Sequence, residues 1–154
     1  MKPSYRLQHL RGRQLRVFLA VADQIVPPDE TPGAGTLATA GVVDWALNRL
    51  DPELRALFLK FLVLVDFMGI FFGGRTFTRN SRAAQERQLR WMENCPIGKL
   101  RMGFFGLKSY VCMGYYTRED TWPSLHYGGP HVPDRPFPEP MIRDLERGAV
   151  EVVE

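Results

Sequence analysis

An all-α fold is predicted: a compact bundle of about five helices followed by a long Pro/Gly-rich extended C-terminal tail, within a chain of 154 residues. Apolar residues recur at helical spacing in successive stretches up to Tyr116. Helix start and stop signals separate those stretches, and none of the junctions reads as a β-hairpin. Six of the twelve prolines then fall between 123 and 140, where neither a helix nor a central strand is expected. The chain divides into a basic N-terminal arm, 1–12, a helical domain, 13–118, and a tail, 119–154, with a short helix expected at 141–147 before an acidic end.

The first helix carries Leu15, Phe18, Leu19, Ala22 and Val26 on one face and must stop before Pro27-Pro28, because a residue preceding proline is pushed out of the helical region. A turn-rich segment follows. Pro32-Gly33 suits the centre of a type II turn, and Asp29 can close an Asx turn. A second helix is expected from Thr36 or Thr39, with Val43, Ala46, Leu47 and Leu50 as its apolar face. Asp51-Pro52 is a clean start for a third helix, an Asp cap followed by Pro at the first helical position. Its second half is apolar all round and is therefore expected to be the central, most buried element.

Gly73-Gly74 should end that helix, and Asn80 or Ser81 should cap a mostly polar fourth one that buries Ala84, Trp91 and Met92. Pro96 is expected to open a fifth, with Leu100, Phe104, Leu107, Val111 and Tyr115 inward. Gly103 and Gly106 on that helix would let a neighbour approach closely.

Composition bounds the function. Ten Phe, three Trp and five Tyr are too many aromatics for a disordered chain, and two cysteines cannot staple a disulfide miniprotein. A net charge of +3 is too mild to imply nucleic acid. The basic start (Lys2, Arg6, Arg11, Arg13, Arg16) leads into an apolar run too short for a signal peptide, so an arm running into a helix is expected. Residues 61–72 are apolar, but Lys60 bounds them and Asp66 interrupts them, which favours a core helix over a membrane span. His9, His126 and His131 match no zinc spacing, and neither do Cys95 and Cys112. Gly33-Ala34-Gly35 lacks a dinucleotide fingerprint, and no nucleophile elbow is present. Asp23, in the last turn of the first helix, is expected to pair with an arginine or with the proline-rich turn. Asp66 is expected to clamp two helices, since a buried carboxylate needs partners.

Two separated motifs carry a resemblance. Ala22-Asp23-Gln24-Ile25-Val26-Pro27-Pro28-Asp29-Glu30-Thr31-Pro32-Gly33-Ala34 is followed by Ala40-Gly41-Val42-Val43-Asp44-Trp45. Further on stand Arg101-Met102-Gly103-Phe104-Phe105-Gly106-Leu107-Lys108, Tyr115-Tyr116, Trp122 and Tyr127-Gly128-Gly129-Pro130. Over roughly residues 13–131 the chain resembles the gluconate 2-dehydrogenase subunit 3 family, small helical subunits of large flavoproteins of the glucose–methanol–choline (GMC) class. The second motif is also similar to the helical N-terminal region of long-chain alcohol oxidases.

The resemblance implies a non-catalytic small subunit in a hetero-oligomer. Its partner would be a large FAD-dependent alcohol or sugar dehydrogenase that holds the flavin, with no cofactor or metal in this chain and a cytochrome or quinone acceptor downstream. Asp23, Pro27, Pro28, Thr31, Pro32, Gly33, Asp44 and Asp66 would then be structural motif residues. Trp122, Tyr127, Gly128, Gly129, Pro130, His131 and Phe137 would bind the partner, because a proline-restricted, aromatic tail can lie along a surface at low ordering cost. Two departures stand out: Arg11-Gly12-Arg13 is not a twin-arginine pair, and no Cys-x-x-Cys-His is present. A cytoplasmic chain as encoded, or one carried to the periplasm by a signal-bearing partner, is therefore expected. The rival readings are an escort not retained in the mature enzyme, an enzyme using Asp23, Asp66 or His126 as acid or base, and a nucleic-acid-binding module.

Overall fold

Helix α1 (Gly12–Ile25) buries Leu15, Val17, Phe18, Val21 and Ala22, and it packs against each of the other four helices. It ends where Pro27-Pro28 requires, with the Val26 N–H closing on Ala22 O at 3.0 Å. The computed structural model describes residues 5–129 and 150–152. Pro130, His131, Phe137 and the helix expected at 141–147 lie outside the described residues.

The turn after α1 forms the expected Asx closure, Thr31 N donating to Asp29 Oδ1 at 2.9 Å. Gly33 takes φ +71° as the second residue of the Pro-Gly pair, a conformation open to glycine at no steric cost. The hydrogen bonding differs from a type II turn. Ala34 N donates back to Val26 O at 2.9 Å, folding the whole loop onto the end of α1.

Helix α2 (Leu37–Asn48) starts at Thr36, whose hydroxyl accepts from Thr39 N at 3.4 Å. It buries Thr39, Ala40, Gly41, Val42, Val43, Asp44 and Leu47. Ala46 and Leu50, expected on that face, are half-buried. Helix α3 (Pro52–Gly73) starts as the sequence indicates, with Asp51 Oδ1 accepting from Glu53 N at 2.9 Å.

The expectation that α3 is the central, most buried element is overturned. It buries Leu62, Val65, Asp66 and Gly69, while Leu54, Leu57, Leu64, Phe67, Ile70 and Phe71 face outward, Phe71 at 87% exposure. A helix apolar on every side carries no periodic signal for which side packs. Here α1, α4 and the turn before α4 cover one side, α5 touches it more lightly, and the outer side is left largely exposed, with Arg13 of α1 reaching over the Phe67 ring. By length and composition alone α3 could cross a membrane, and it is the one such helix among the described residues. The central place belongs to α1.

An unanticipated 3₁₀ turn, Phe77–Arg79, drops Phe77 into the core. Ser81, not Asn80, caps α4 (Arg82–Asn94). Its inner face is Ala84, Gln85, Gln88, Leu89 and Met92. Trp91 is a correction: it is 39% exposed and tilts against Phe72 at 5.7 Å rather than entering the core. Helix α5 (Gly98–Tyr116) begins two residues after Pro96 and buries Leu100, Phe104, Leu107, Val111 and Tyr115 as expected. At Gly103 a Cβ would lie 2.6 Å from the Phe61 ring, so α3 does approach closely there; Gly106 faces open space, against expectation.

Beyond α5 the chain turns through two 3₁₀ segments, Glu119–Thr121 and Pro123–Leu125. Pro123 opens the second, a position where its missing N–H is harmless. Two-residue strands β1 (Tyr5–Arg6) and β2 (Val150–Glu151) pair in parallel, joining the two ends of the chain.

Candidate functional site

The polar motif residues are engaged within the body. Asp23 on α1 holds Arg82 at the start of α4, 2.6 Å away. Gln24, beside it, donates to Gln85 Oε1 at 2.8 Å, and Gln85 in turn donates to Phe77 O at 2.7 Å. Thr31 Oγ1 meets Tyr115 Oη at 2.7 Å, tying the loop of Pro27, Pro28, Pro32 and Gly33 to the end of α5. Asp66 on α3 accepts from Thr78 N at 3.2 Å and Thr78 Oγ1 at 3.1 Å, with Arg13 Nε of α1 at 3.6 Å. The clamp expected at Asp66 is therefore present. Arg13 also lies over the Phe67 ring, 4.9 Å from its centroid.

Asp44 is the densest of these nodes. Its carboxylate is fully buried and accepts from Tyr5 Oη at 2.9 Å, Gln8 N at 2.7 Å, His9 N at 2.8 Å and Leu10 N at 2.6 Å. One side chain on α2 thus fixes residues 5–10, and Leu7 and Leu10 join the core. Burial, then the nearby Asp44 charge, holds the Tyr5 phenol well above its ordinary pKa. The Asp29 carboxyl lies below its ordinary value, chiefly because it accepts the Thr31 N–H.

Sequence reasoning passed over Arg118. It is 5% exposed, pairs with Asp120 through Nε at 3.0 Å, and donates to Thr36 Oγ1 at 2.8 Å and Thr39 Oγ1 at 3.2 Å. It also passed over Gln88, whose amide reaches Val65 O at 2.7 Å. Asp120 is a close neighbour of Arg118 in sequence, but Thr36, Thr39 and the Val65 carbonyl lie far from Arg118 and Gln88, and no spacing rule links them.

Of the expected partner-binding residues, Trp122 is half-buried. Its indole N–H donates to Tyr116 O at 3.0 Å, and its ring meets Tyr127 edge-on at 5.2 Å. Tyr127 and Gly128 are exposed, whereas Gly129 is buried beside the Trp122 ring. His126 takes a left-handed φ of +53° at the end of the last 3₁₀ turn. No hydrogen bond or ion pair joins any two of Asp23, Asp66 and His126 among the described residues. No group of three or more His, Cys, Asp and Glu that could hold a metal is found among the described residues. Both cysteines are free, Cys95 buried and Cys112 half-buried.

The described surface offers apolar area. On α5 Met102 is 75% exposed and Phe105 71%, with Met113 and Tyr116 further along and Ile97 just before the helix. Met102 and Phe105 are three apart, as are Met113 and Tyr116, and the two pairs fall on the side of α5 opposite its core face. A shallow groove of about 540 Å³ runs beside Met102 and Phe105, walled by the Glu93–Lys108 ion pair at 2.7 Å. Such a surface suits a partner: apolar at its centre, with a charged pair at its rim. Comparison with family models, curated proteins and solved structures returns no match.

Proposed function

We propose that this chain is a non-catalytic small subunit that binds and stabilises a large FAD-dependent dehydrogenase of the GMC class, acting on an alcohol or sugar. The observation that carries the reading is the outer face of α5, where Met102 and Phe105 are 75% and 71% exposed beside an open groove. Large exposed apolar side chains grouped on one helix face mark an interaction surface. The two-motif resemblance supplies the class of partner. FAD belongs to that partner, and the electrons leave through it to a cytochrome or quinone. Tyr127, exposed beside Trp122, extends the binding surface toward the tail.

A tagged chain purified from its native host should bring down one large flavin-yellow polypeptide. Phe105→Glu together with Met102→Glu should abolish that capture, while the far-UV circular dichroism stays unchanged. Equal capture by the double variant would refute the role of the α5 face. A partner released before the enzyme is active would turn the subunit into an escort.

A further inference from the structure

The outer side of α3 carries a pattern that the α5 surface does not explain. Leu57, Lys60, Leu64, Phe67 and Phe71 follow one another at alternating spacings of three and four, so Leu57, Leu64 and Phe71 recur every seven residues. That is the spacing of a two-helix seam. All five are exposed, and they point away from the side that buries Leu62, Val65 and Gly69. The stripe is about 21 Å long.

Glu53 and Arg75 stand at the two ends of this side, with Lys60 inside the stripe between Glu53 and Leu64. Glu53 stands in the first turn, and Arg75 lies two residues past the last. Neither side chain has an ion-pair partner among the described residues. Glu53 and Arg75 are equally far in sequence from Leu64. We infer that the occupant of this face is a second copy of the chain, its α3 laid antiparallel across a two-fold axis at Leu64. In that register Glu53 faces Arg75 of the second copy, Leu57 faces its Phe71, and Leu64 meets its own counterpart. Each contact then occurs twice, as a self-complementary two-fold interface requires. A parallel pairing would set Glu53 against Glu53 and Arg75 against Arg75. The inference does not rest on the flavoprotein reading, which uses α5.

Cysteine cross-linking of the full chain tests the register. In a Cys112→Ser background, Leu64→Cys should give a disulfide-linked dimer under mild oxidation. Leu57→Cys should link at least about tenfold more slowly, because the two Leu57 positions would lie roughly 21 Å apart. In sedimentation, Leu64→Glu should weaken the wild-type dimer about a hundredfold, since it brings two carboxylates together. Glu53→Arg and Arg75→Glu should each weaken it about threefold and restore it when combined. Leu64 is exposed, so these variants keep the fold, which circular dichroism checks. A wild-type chain that sediments as a monomer, with no cross-link at Leu64→Cys, overturns the proposal. Loss of flavoprotein capture by Leu64→Glu in that monomer would then assign the face to the large partner, and loss of binding to anionic phosphatidylserine vesicles would assign it to a membrane.

Discussion

Replacing Asp44 with Ala removes four hydrogen bonds at once and leaves the N–H groups of Gln8, His9 and Leu10 without their acceptor. Hydrogen bonds to a charged group contribute about 1.5–3 kcal/mol each, and an orphaned buried donor costs about 1–3 kcal/mol. The four are not additive, because residues 5–10 can open as a unit and reach water. The ceiling is therefore the cost of undocking that segment together with Leu7 and Leu10, both in the core. Burying two leucine side chains stabilises by about 1.5–3 kcal/mol each. A loss of about 3–5 kcal/mol is expected for Asp44→Ala. Asp44→Asn should lose about half as much: it keeps an acceptor for His9 and Leu10 but turns an amide donor toward Gln8 N–H. Urea denaturation monitored by circular dichroism gives the totals. Native-state hydrogen exchange at the Gln8, His9 and Leu10 amides shows whether the loss is local. An Asp44→Ala protein within about 0.5 kcal/mol of wild type, with those amides still protected, would refute the reasoning.

Three further outcomes follow from the packing. Gly103→Ala pushes a methyl into the Phe61 ring and should cost about 1–3 kcal/mol, while Gly106→Ala meets nothing and should stabilise by about 0.5–1 kcal/mol in the same denaturation assay. Asp66→Ala leaves the half-buried Thr78 N–H and hydroxyl without their acceptor and should cost about 1–3 kcal/mol; Asp66→Asn retains an acceptor for both and should cost about 1 kcal/mol. The raised Tyr5 pKa means that folding favours the neutral phenol. Its contribution is complete below the ordinary value of 10.0 and is lost as pH rises beyond it, so Tyr5→Phe should flatten the alkaline fall in stability relative to wild type. Identical alkaline slopes would contradict that coupling.

The helices themselves were legible because their ends are local chemistry. Asp51-Pro52, Ser81 and Pro27-Pro28 act on their immediate neighbours, and the α5 face of Leu100, Phe104, Leu107, Val111 and Tyr115 repeats with a clear period. What lay hidden was orientation. On α3 apolar residues occupy every side, so pattern could not say that one side would face water. On α4 the inward polar residues, Gln85 and Gln88, satisfy backbone carbonyls of Phe77 and Val65, contacts that span eight and twenty-three residues. They took the inward position that hydrophobicity would have assigned to Trp91. The candidate site was legible in the same uneven way. The internal engagement of Asp23 and Asp66 could be anticipated from the cost of a carboxylate at a helix end or in an apolar helix. The docking of residues 5–10 onto Asp44 could not, because its partners are mostly backbone amides that any sequence supplies. Met102 and Phe105 already stand off the periodic core face in the sequence, but only the fold shows that their side of α5 is left exposed.

The most direct measurement is the composition and absorbance spectrum of the complex purified through a tag on this chain, from its native host, in its enzymatically active form. One large polypeptide per small chain, carrying a flavin spectrum that is bleached by an alcohol or sugar substrate, is the expected result. A colourless preparation without a large partner, or an active flavoprotein that purifies with none of this chain bound, would contradict the assignment as a resident small subunit.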